Sequence, residues 1–204
     1  MTSLEIERKL ISQGYRLVGG VDEVGRGCLA GPVAAGFVIF PPNVDDSLLF
    51  SVTDSKKLTA RKREHLLKII KSESLCAEVG WASVAEIDDV GIALATKLAM
   101  IRAIEKSLIQ PDYLLVDAVK LDECLVPYES IVKGDLLSRT IAAASIIAKV
   151  TRDFHMSSLS MEYPGYFFEK NKGYGTRDHM TAIRSKGPTD IHRVSFEPVA
   201  SMKR

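Results

Sequence analysis

The sequence has little cysteine, no long apolar run and almost no net charge, and each absence argues against a class of protein. The three cysteines are scattered along the 204 residues without a CxxC pair, which argues against a disulfide framework or a zinc site and is typical of a reducing cytoplasm. No run of about 18 apolar residues occurs, so no transmembrane helix and no membrane partner are expected. Residues 1–9 carry charged side chains where a secretory signal would have an apolar core. The sequence therefore predicts a cytoplasmic protein.

The formal net charge of +1 does not by itself indicate a nucleic-acid partner. The distribution of charge is uneven: residues 133–204 carry twelve basic and seven acidic side chains, a balance of +5, which leaves −4 for residues 1–132. A phosphate-binding lobe beside an acidic metal-binding core would have this asymmetry. Solvated helix faces would produce it too, so both interpretations stay open.

Hydrophobic periodicity and turn residues predict alternating strands and helices in one globular domain. The predicted strands are 15–24, 33–40, 76–84, 113–116 and 129–132, and the predicted helices are 1–13, 60–72, 88–108, 136–161 and 177–186. Thr59 and Thr176 are predicted N-caps. The first two strands are close in sequence, which favours an antiparallel hairpin, and the wholly apolar run 113–116 is typical of a strand inside a sheet. Residues 165–175 are expected to form a loop.

The segment from Gly19 to Gly31 places two adjacent carboxylates at the end of an apolar run, before an arginine between two glycines. Neighbouring side chains of a strand point to opposite faces, so Asp22 and Glu23 can share a site only where the strand bends or ends. The glycines allow such a bend and let backbone N–H groups come close to a ligand. A strand followed by an acidic turn is the alternative for this pair taken alone.

Four acidic residues share one placement, at or just beyond the end of a strand-like run. These residues are Asp22, Glu23, Asp117 and Asp135. Carboxylates that converge from strand ends form a hard-oxygen site suited to Mg²⁺ or Mn²⁺, and their mutual repulsion favours a bound cation. Two such ions could activate a water molecule and stabilise the leaving oxygen of a phosphodiester. None of the four histidines has the spacing of a transition-metal site.

Six motifs in order resemble those of the ribonuclease HII family, the type 2 ribonucleases H. They are Val21-Asp22-Glu23-Val24-Gly25-Arg26-Gly27, Asp54-Ser55-Lys56-Lys57, Val116-Asp117, Lys133-Gly134-Asp135, the run from Ala142 to Asp153, and Gly173-Tyr174-Gly175-Thr176. Each motif is weak alone, but together they cover the chain from residue 21 to about residue 197. The resemblance implies an α/β, ribonuclease H-like fold: a mixed five-stranded sheet flanked by helices, with a C-terminal helical lobe. On this resemblance, residues 1–204 form a single domain, in which about 15–160 are the catalytic core and about 161–204 are a helical lobe that contributes to substrate binding.

The resemblance also implies a function and a set of site residues. The activity would be metal-dependent cleavage of the RNA strand of RNA–DNA hybrids and incision 5′ of ribonucleotides embedded in duplex DNA, leaving 3′-hydroxyl and 5′-phosphate ends. The four acids match the family's metal ligands, which hold two Mg²⁺ or Mn²⁺ ions. Gly25, Arg26 and Gly27 match the segment whose backbone reads the ribose 2′-OH, and Tyr174 matches the tyrosine that stacks under the next sugar. Lys56, Lys149 and Arg152 are candidate phosphate contacts.

Simpler roles remain for several of these residues. Lys149 and Arg152 share one helical face and could be surface charges, and Tyr174 could be a packing aromatic. Asp54 is interpreted as a loop or capping residue, and Asp153 as a partner of Arg152 on a helix. His179 is interpreted as a solvent-facing or packed side chain, and Cys28 as a small hydrophobe.

Three alternative functions remain open. The sister enzyme ribonuclease HIII shares the acids, but the Gly25-Arg26-Gly27 form and the short segment before the first strand oppose it. A hybrid-binding module without catalysis would need a defect in the acids, and related polynucleotidyl transferases lack the two glycine motifs. A monomer is expected, and the few residues after Phe196 show no obvious sliding-clamp-binding tail.

Overall fold

The computed structural model describes residues 2–122 and 124–202, with the exception of the Lys57 side chain. The strands are β1 (Val18–Val24), β2 (Val33–Ile39), β3 (Cys76–Ala82), β4 (Tyr113–Asp117) and β5 (Tyr128–Ile131). The helices are α1 (Glu5–Ser12), α2 (Ala60–Glu73), α3 (Val84–Glu105), α4 (Arg139–Glu162), α5 (Phe168–Asn171), α6 (Arg177–Lys186) and α7 (Val199–Met202). Short 3₁₀ turns cover Ser55–Lys57 and Gly134–Leu136. None of the described helices is long and apolar enough to cross a membrane.

The five strands form one mixed sheet in the order β3-β2-β1-β4-β5. β1 and β2 form the predicted antiparallel hairpin, whereas β4 lies parallel to both β1 and β5. The pairing of β1 with β4 ends at Val21, while its pairing with β2 continues to Val24. The last residues of β1 therefore border a crevice beyond the C-terminal end of β4, the place where open α/β sheets bind ligands.

Each face of the sheet is covered by helices because the central strands are apolar on both sides. Every residue of β2 is buried. One core cluster joins Phe37 and Val116 to Ala99 and Met100 of α3. The other joins Val38 to the alanine run of α4 and to Leu66 of α2. The mixed five-stranded sheet flanked by helices is thus confirmed.

A smaller apolar cluster lies at the end of α4, where α6 and α7 pack against the segment that follows β1. Its buried members include Leu29, Ala30, Met156, Phe168 and Ile183. The backbone N–H of Gly31 donates to the Ile191 carbonyl oxygen at 2.8 Å, and Arg193 N–H donates to Leu29 at 2.9 Å. These contacts hold the C-terminal helices against the glycine-rich segment.

The structure corrects several predicted boundaries. α3 begins at Val84 instead of residue 88, because Ser83 and Glu86 form a capping box, and the helix is interrupted at Gly91. α4 begins at Arg139 because the residues before it form a separate 3₁₀ turn. The predicted loop 165–175 contains α5, which is too short to produce a periodic pattern. Thr59 and Thr176 are confirmed as N-caps.

Candidate active site

Three of the four predicted acids converge at the crevice beyond β4. Asp22 and Glu23 are the fifth and sixth residues of β1, and Asp117 is the last residue of β4. One carboxylate oxygen of each lies within 4.8 Å of the others, a spacing that could hold a metal ion. Asp22 is buried, and its carboxylate accepts the Glu23 backbone N–H at 2.7 Å. The end of the strand thus brings neighbouring carboxylates together.

The fourth acid, Asp135, lies beside this group without sharing the 4.8 Å spacing. It is buried within the 3₁₀ turn Gly134–Leu136. The Gly134 N–H donates to the Asp117 carboxylate at 2.7 Å, which links the turn to the end of β4. Burial raises the pKa of Asp135, the charge of Asp117 raises it further, and Lys56 opposes the shift. The structure therefore places Asp135 and Lys56 at the edge of the acidic group.

The acidic group has the electrostatics of a cation site. Burial raises the pKa of Asp22 well above its ordinary value, and the charges of Glu23 and Asp117 raise it further. Burial also raises the pKa of Glu23, although Arg26, 3.4 Å away, opposes the shift. The Glu23 Oε2 atom is buried and has no hydrogen-bond partner among the described residues. An unpartnered carboxylate oxygen beside two further hard-oxygen donors fits Mg²⁺ or Mn²⁺.

Two buried hydroxyl groups, those of Ser145 and Ser55, form a hydrogen-bonded chain that ends at Asp22. Ser145 of α4 forms a side-chain hydrogen bond with Asp22, which lowers the pKa of this carboxyl against the larger effect of burial. The Ser145 and Ser55 hydroxyl oxygens lie 2.9 Å apart. Ser55 belongs to the Asp54-Ser55-Lys56-Lys57 motif, in which Asp54 accepts the Lys56 backbone N–H at 2.9 Å. The capping interpretation of Asp54 is confirmed.

The glycine turn, residues 25–28, follows β1 directly. The Cys28 N–H donates to the Gly25 carbonyl oxygen at 3.3 Å, which closes the turn. Gly25 has a φ of 93°, in the left-handed region that favours glycine. Arg26 and Gly27 are exposed, and Cys28 is fully buried, as expected for a small hydrophobe.

Tyr174 lies next to the glycine turn. The carbonyl oxygen of its neighbour Gly173 accepts the Leu29 backbone N–H at 2.8 Å, and Tyr174 itself remains 38% exposed. Burial of the hydroxyl end and its hydrogen bond to the Cys28 thiol contribute to raising the pKa of Tyr174 to about 12. The Lys149 Nζ atom lies 5.6 Å from the ring centroid. Tyr174 thus presents an exposed aromatic side chain beside the glycine turn and Lys149.

The structure contradicts two sequence predictions in α4. Arg152 is fully buried and donates to the carbonyl oxygens of Pro32 (2.8 Å), Lys172 (2.9 Å) and Ala30 (3.2 Å), so it is not available to a phosphate. Asp153 does not pair with Arg152. It accepts Lys149 Nζ at 2.7 Å and lies 3.9 Å from an Arg63 guanidinium nitrogen. Arg152 has an internal role because its guanidinium joins the segment after β1 to the loop before Tyr174.

The sequence interpretation missed Arg193, which is fully buried below the glycine turn. Its guanidinium donates to the carbonyl oxygens of Gly25 (2.7 Å), Arg26 (2.8 Å) and Gly31 (2.8 and 3.0 Å). No local motif marks Arg193, so only its distant contacts reveal it.

A buried histidine pair lies behind Tyr174. The Thr189 N–H donates to His192 Nδ1 at 2.9 Å, which places the His192 proton on Nε2. This Nε2–H faces His179 Nε2 at 3.1 Å, so His179 carries its proton on Nδ1 and donates it to the Tyr174 carbonyl oxygen at 2.8 Å. Burial lowers the pKa of His192 to about 4 and also lowers the pKa of His179. The predicted packed environment of His179 is confirmed, and both rings are neutral near pH 7.

Comparison with known proteins agrees with this geometry. The family model described as ribonuclease HII matches residues 19–199. The chain is 50% identical over 196 residues to a ribonuclease HII of Dehalococcoides mccartyi, covering 96% of this chain and 92% of that one. It is 48% identical over 203 residues to a ribonuclease HII of Bacillus subtilis, covering 100% and 77% of the two chains.

A solved structure is similar over the same extent. The crystal structure of ribonuclease H2 from Pyrococcus horikoshii superposes with a TM-score of 0.77 at 25% identity, covering 91% of this chain and 96% of that one. The matched residues include the acidic group, the glycine turn and Tyr174. The chain therefore belongs to the ribonuclease HII family of hydrolytic endonucleases that act on RNA–DNA hybrids.

Proposed function

We propose that this chain, besides cleaving RNA in RNA–DNA hybrids, incises duplex DNA on the 5′ side of single embedded ribonucleotides, leaving 3′-hydroxyl and 5′-phosphate ends. The observation that carries the proposal is that three features lie side by side: an acidic group that could hold a metal ion, a glycine turn and an exposed tyrosine. The glycine turn directly follows the strand that carries Asp22 and Glu23, and Gly173, beside Tyr174, is hydrogen-bonded to Leu29. The glycine turn, which would recognise one ribose, thus lies next to the acidic residues, which would cleave the adjacent phosphodiester.

The four acids are proposed to bind two divalent ions, Mg²⁺ or Mn²⁺. Asp22, Glu23 and Asp117 would hold one of them, and Asp135 would contribute at the edge of the site. Bound ions of this kind lower the pKa of a coordinated water and stabilise charge on phosphodiester oxygens. The protein's own part is to orient its carboxylates: the Glu23 N–H and Ser145 hold Asp22, and the Gly134 N–H holds Asp117.

The glycine turn is proposed to recognise the ribose 2′-OH. Within the part of the chain that the structure describes, the Arg26 and Gly27 N–H groups donate to no acceptor. A Cβ atom on Gly27 would meet no atom of the protein within 4 Å, and the φ of Gly27 is not in the left-handed region. The fold therefore does not require glycine at this position, and close approach of a ligand explains it better.

Tyr174 is proposed to stack under the sugar of the next nucleotide, which is deoxy at an RNA–DNA junction. Its exposed ring and the adjacent Lys149 present a flat apolar surface beside a cation. Lys56 and Lys149 are proposed to contact phosphates, which provides affinity without sequence preference. Residues 161–204 would form the lobe that carries Tyr174 against the core of residues 15–160.

The experiment uses two labelled duplexes: DNA with one ribonucleotide, and an RNA strand paired with DNA. Each is incubated with the protein in Mg²⁺, in Mn²⁺ and in chelator. The expected result is a single metal-dependent nick on the 5′ side of the lone ribonucleotide, together with cleavage of the hybrid. Cleavage of the hybrid alone would overturn the junction proposal and favour ribonuclease HIII-like specificity. Retention of both duplexes without cleavage would indicate a hybrid-binding module.

A further inference from the structure

Arg193 is the most extensively hydrogen-bonded buried side chain next to the glycine turn. Its side chain is fully buried, and its guanidinium makes four hydrogen bonds of 2.7–3.0 Å to the carbonyl oxygens of Gly25, Arg26 and Gly31. The Phe196 ring lies against the guanidinium, with 5.0 Å between the Arg193 Cζ atom and the ring centroid. Burial lowers the pKa of Arg193 to about 10, so the group keeps its charge at neutral pH.

These hydrogen bonds determine the direction of two consecutive peptide groups. In a planar trans peptide, the carbonyl C=O and the following N–H point in opposite directions. The Gly25 carbonyl points inward to Arg193 Nη2, so the Arg26 N–H points outward. The Arg26 carbonyl points inward to Nη1, so the Gly27 N–H also points outward. The unpartnered N–H groups of Arg26 and Gly27 therefore belong to the same two peptide groups whose carbonyl oxygens Arg193 binds.

We propose that Arg193 is a positioning residue for ribose recognition: it orients the Gly25–Arg26 and Arg26–Gly27 peptides so that their N–H groups meet the 2′-OH of the substrate. This inference rests on the proposed recognition of the ribose by the glycine turn. The charge of the guanidinium also polarises both peptides, which strengthens their outward N–H groups as donors. Arg193 itself does not touch the substrate.

Lysine cannot replace Arg193 in this role. Three guanidinium nitrogens in one plane reach carbonyl oxygens of three residues, whereas an ammonium group is a single point of donation. Arg193→Lys keeps the buried charge and most of the volume, and it releases at least one of the two peptides. Arg152 cannot compensate, because its guanidinium is engaged with the carbonyls of Ala30, Pro32 and Lys172.

The test measures discrimination between ribose and deoxyribose as a ratio of affinities. Fluorescence anisotropy gives the dissociation constants of a DNA duplex with one ribonucleotide and of the matched all-DNA duplex, in Mg²⁺ and in an Asp117→Asn background that prevents cleavage. Arg193→Lys is expected to lower the preference for the ribonucleotide duplex by about tenfold, because hydrogen bonds to the 2′-OH are lost. Affinity for the all-DNA duplex should stay within about twofold of the parent, because phosphate contacts remain.

The control is Arg102→Lys. Arg102 also donates to a backbone carbonyl, that of Trp81 at 2.9 Å, but it lies on α3 away from the glycine turn. This variant should keep the parent preference. Calorimetric Mn²⁺ affinity of Arg193→Lys, measured with the native acids, should equal that of the unmodified protein, which separates ribose reading from damage to the acidic group.

Other outcomes would overturn the inference. An equal loss of affinity for both duplexes, an unchanged preference, or a parallel loss of Mn²⁺ affinity would each show that Arg193 acts only as a structural or electrostatic support. If the parent protein itself shows no preference for the ribonucleotide duplex, the proposed function fails first, and that result appears without any change at Arg193.

A second variant keeps the inference testable if Arg193→Lys does not fold. Phe196→Leu removes the ring against the guanidinium but leaves every hydrogen-bond donor of Arg193 in place. The preference should fall in the same direction by about threefold, because the guanidinium is held less firmly. An unchanged preference in Phe196→Leu would contradict the positioning role.

Discussion

The Asp117 carboxylate accepts the backbone N–H of Gly134 at 2.7 Å, so one acid of the site holds the turn that carries another. Asp117 ends β4, and Asp135 follows Gly134 in the 3₁₀ turn. The same carboxylate adds its charge to those of Asp22 and Glu23. Asp117 therefore makes two separable contributions: its charge adds to the acidic group, and its oxygen accepts the hydrogen bond that holds the turn carrying Asp135.

Two substitutions separate these roles. Asp117→Asn keeps an oxygen acceptor for Gly134 but removes the charge, whereas Asp117→Ala removes both. Both variants should lose about a thousandfold or more in kcat on an RNA–DNA hybrid, because a proposed carboxylate ligand of the metal is lost. Without metal, Asp117→Ala should be less stable than Asp117→Asn by about 1 kcal/mol, the cost of the lost hydrogen bond. Urea unfolding in chelator measures this difference, and equal stabilities would contradict the structural role.

The acidic group should make the metal-free protein less stable as pH rises. Burial raises the pKa of Asp22, and the pKa of Glu23 is raised as well, so the folded protein keeps protons that the unfolded chain loses. Stability from these groups is complete below their ordinary pKa of about 4 and is lost as pH rises through the raised values. The free energy of unfolding of the wild type minus that of Asp22→Asn should therefore fall as the pH is raised above about 4 in chelator. Mg²⁺ should reduce this slope, and a slope that persists in saturating Mg²⁺ would count against cation binding here.

Gly25 and Gly27 should respond differently to alanine. At Gly27 a Cβ meets open space, so Gly27→Ala should change the free energy of unfolding by less than about 1 kcal/mol but lower incision at a lone ribonucleotide by about tenfold or more. At Gly25 the φ is 93° and a Cβ would lie 2.3 Å from Arg152 Nε, so Gly25→Ala should cost about 2 kcal/mol or more in stability. Urea unfolding and incision assays on both variants check the contrast. Full incision activity in Gly27→Ala would remove the main support for ribose reading at this position.

Tyr174 should act through its ring. Tyr174→Phe keeps the exposed aromatic face and loses only the hydroxyl contact with Cys28, so kcat/KM at a lone ribonucleotide should stay within about threefold of the wild type. Tyr174→Ala should lower it by about tenfold or more, with unchanged Mn²⁺ affinity by calorimetry. If Tyr174→Phe and Tyr174→Ala lower kcat/KM equally, the hydroxyl and not the ring is the functional group. Equal losses of incision and of metal affinity in the Ala variant would argue against stacking.

The histidine pair should make the protein sensitive to mild acid. Burial lowers the pKa of His192 to about 4, so the folded ring stays neutral while the unfolded chain takes up a proton below about pH 6.5. The stability that depends on the neutral ring is complete above pH 6.5 and falls as the pH drops to 4, by about 3 kcal/mol. His192→Gln, which can still donate to His179 but does not titrate, should lose less stability than the wild type between pH 7 and 4.5. His65→Gln, at an exposed position of α2, is the control, and identical pH profiles for wild type and His192→Gln would refute the assignment.

Local patterns in the sequence were sufficient for most of the sheet and the helix caps. Apolar runs bounded by turn residues located the five strands to within a few residues, and Thr59 and Thr176 cap helices as predicted. Short helices such as α5 and α7 were missed because four residues make too little of a period. The convergence of Asp22, Glu23 and Asp117 followed from their positions at strand ends, and the observed spacing is consistent with it. Their assignment as metal ligands, with Asp135, stays a prediction.

The sequence alone determined which residue types border the site, because carboxylates at strand ends, a glycine turn and a Gly-Tyr-Gly segment are local features. Tertiary structure decided which cations lie inside the protein and which reach the rim of the site. Arg152 and Lys149 lie three residues apart on α4, yet Arg152 is fully buried on three backbone carbonyls while Lys149 reaches the rim beside Tyr174. Arg193 follows Gly25 by 168 residues and still holds its carbonyl at 2.7 Å. A guanidinium can hydrogen-bond to buried carbonyl oxygens only where packing of the chain brings the arginine and these oxygens together. No local sequence pattern specifies such contacts between distant residues.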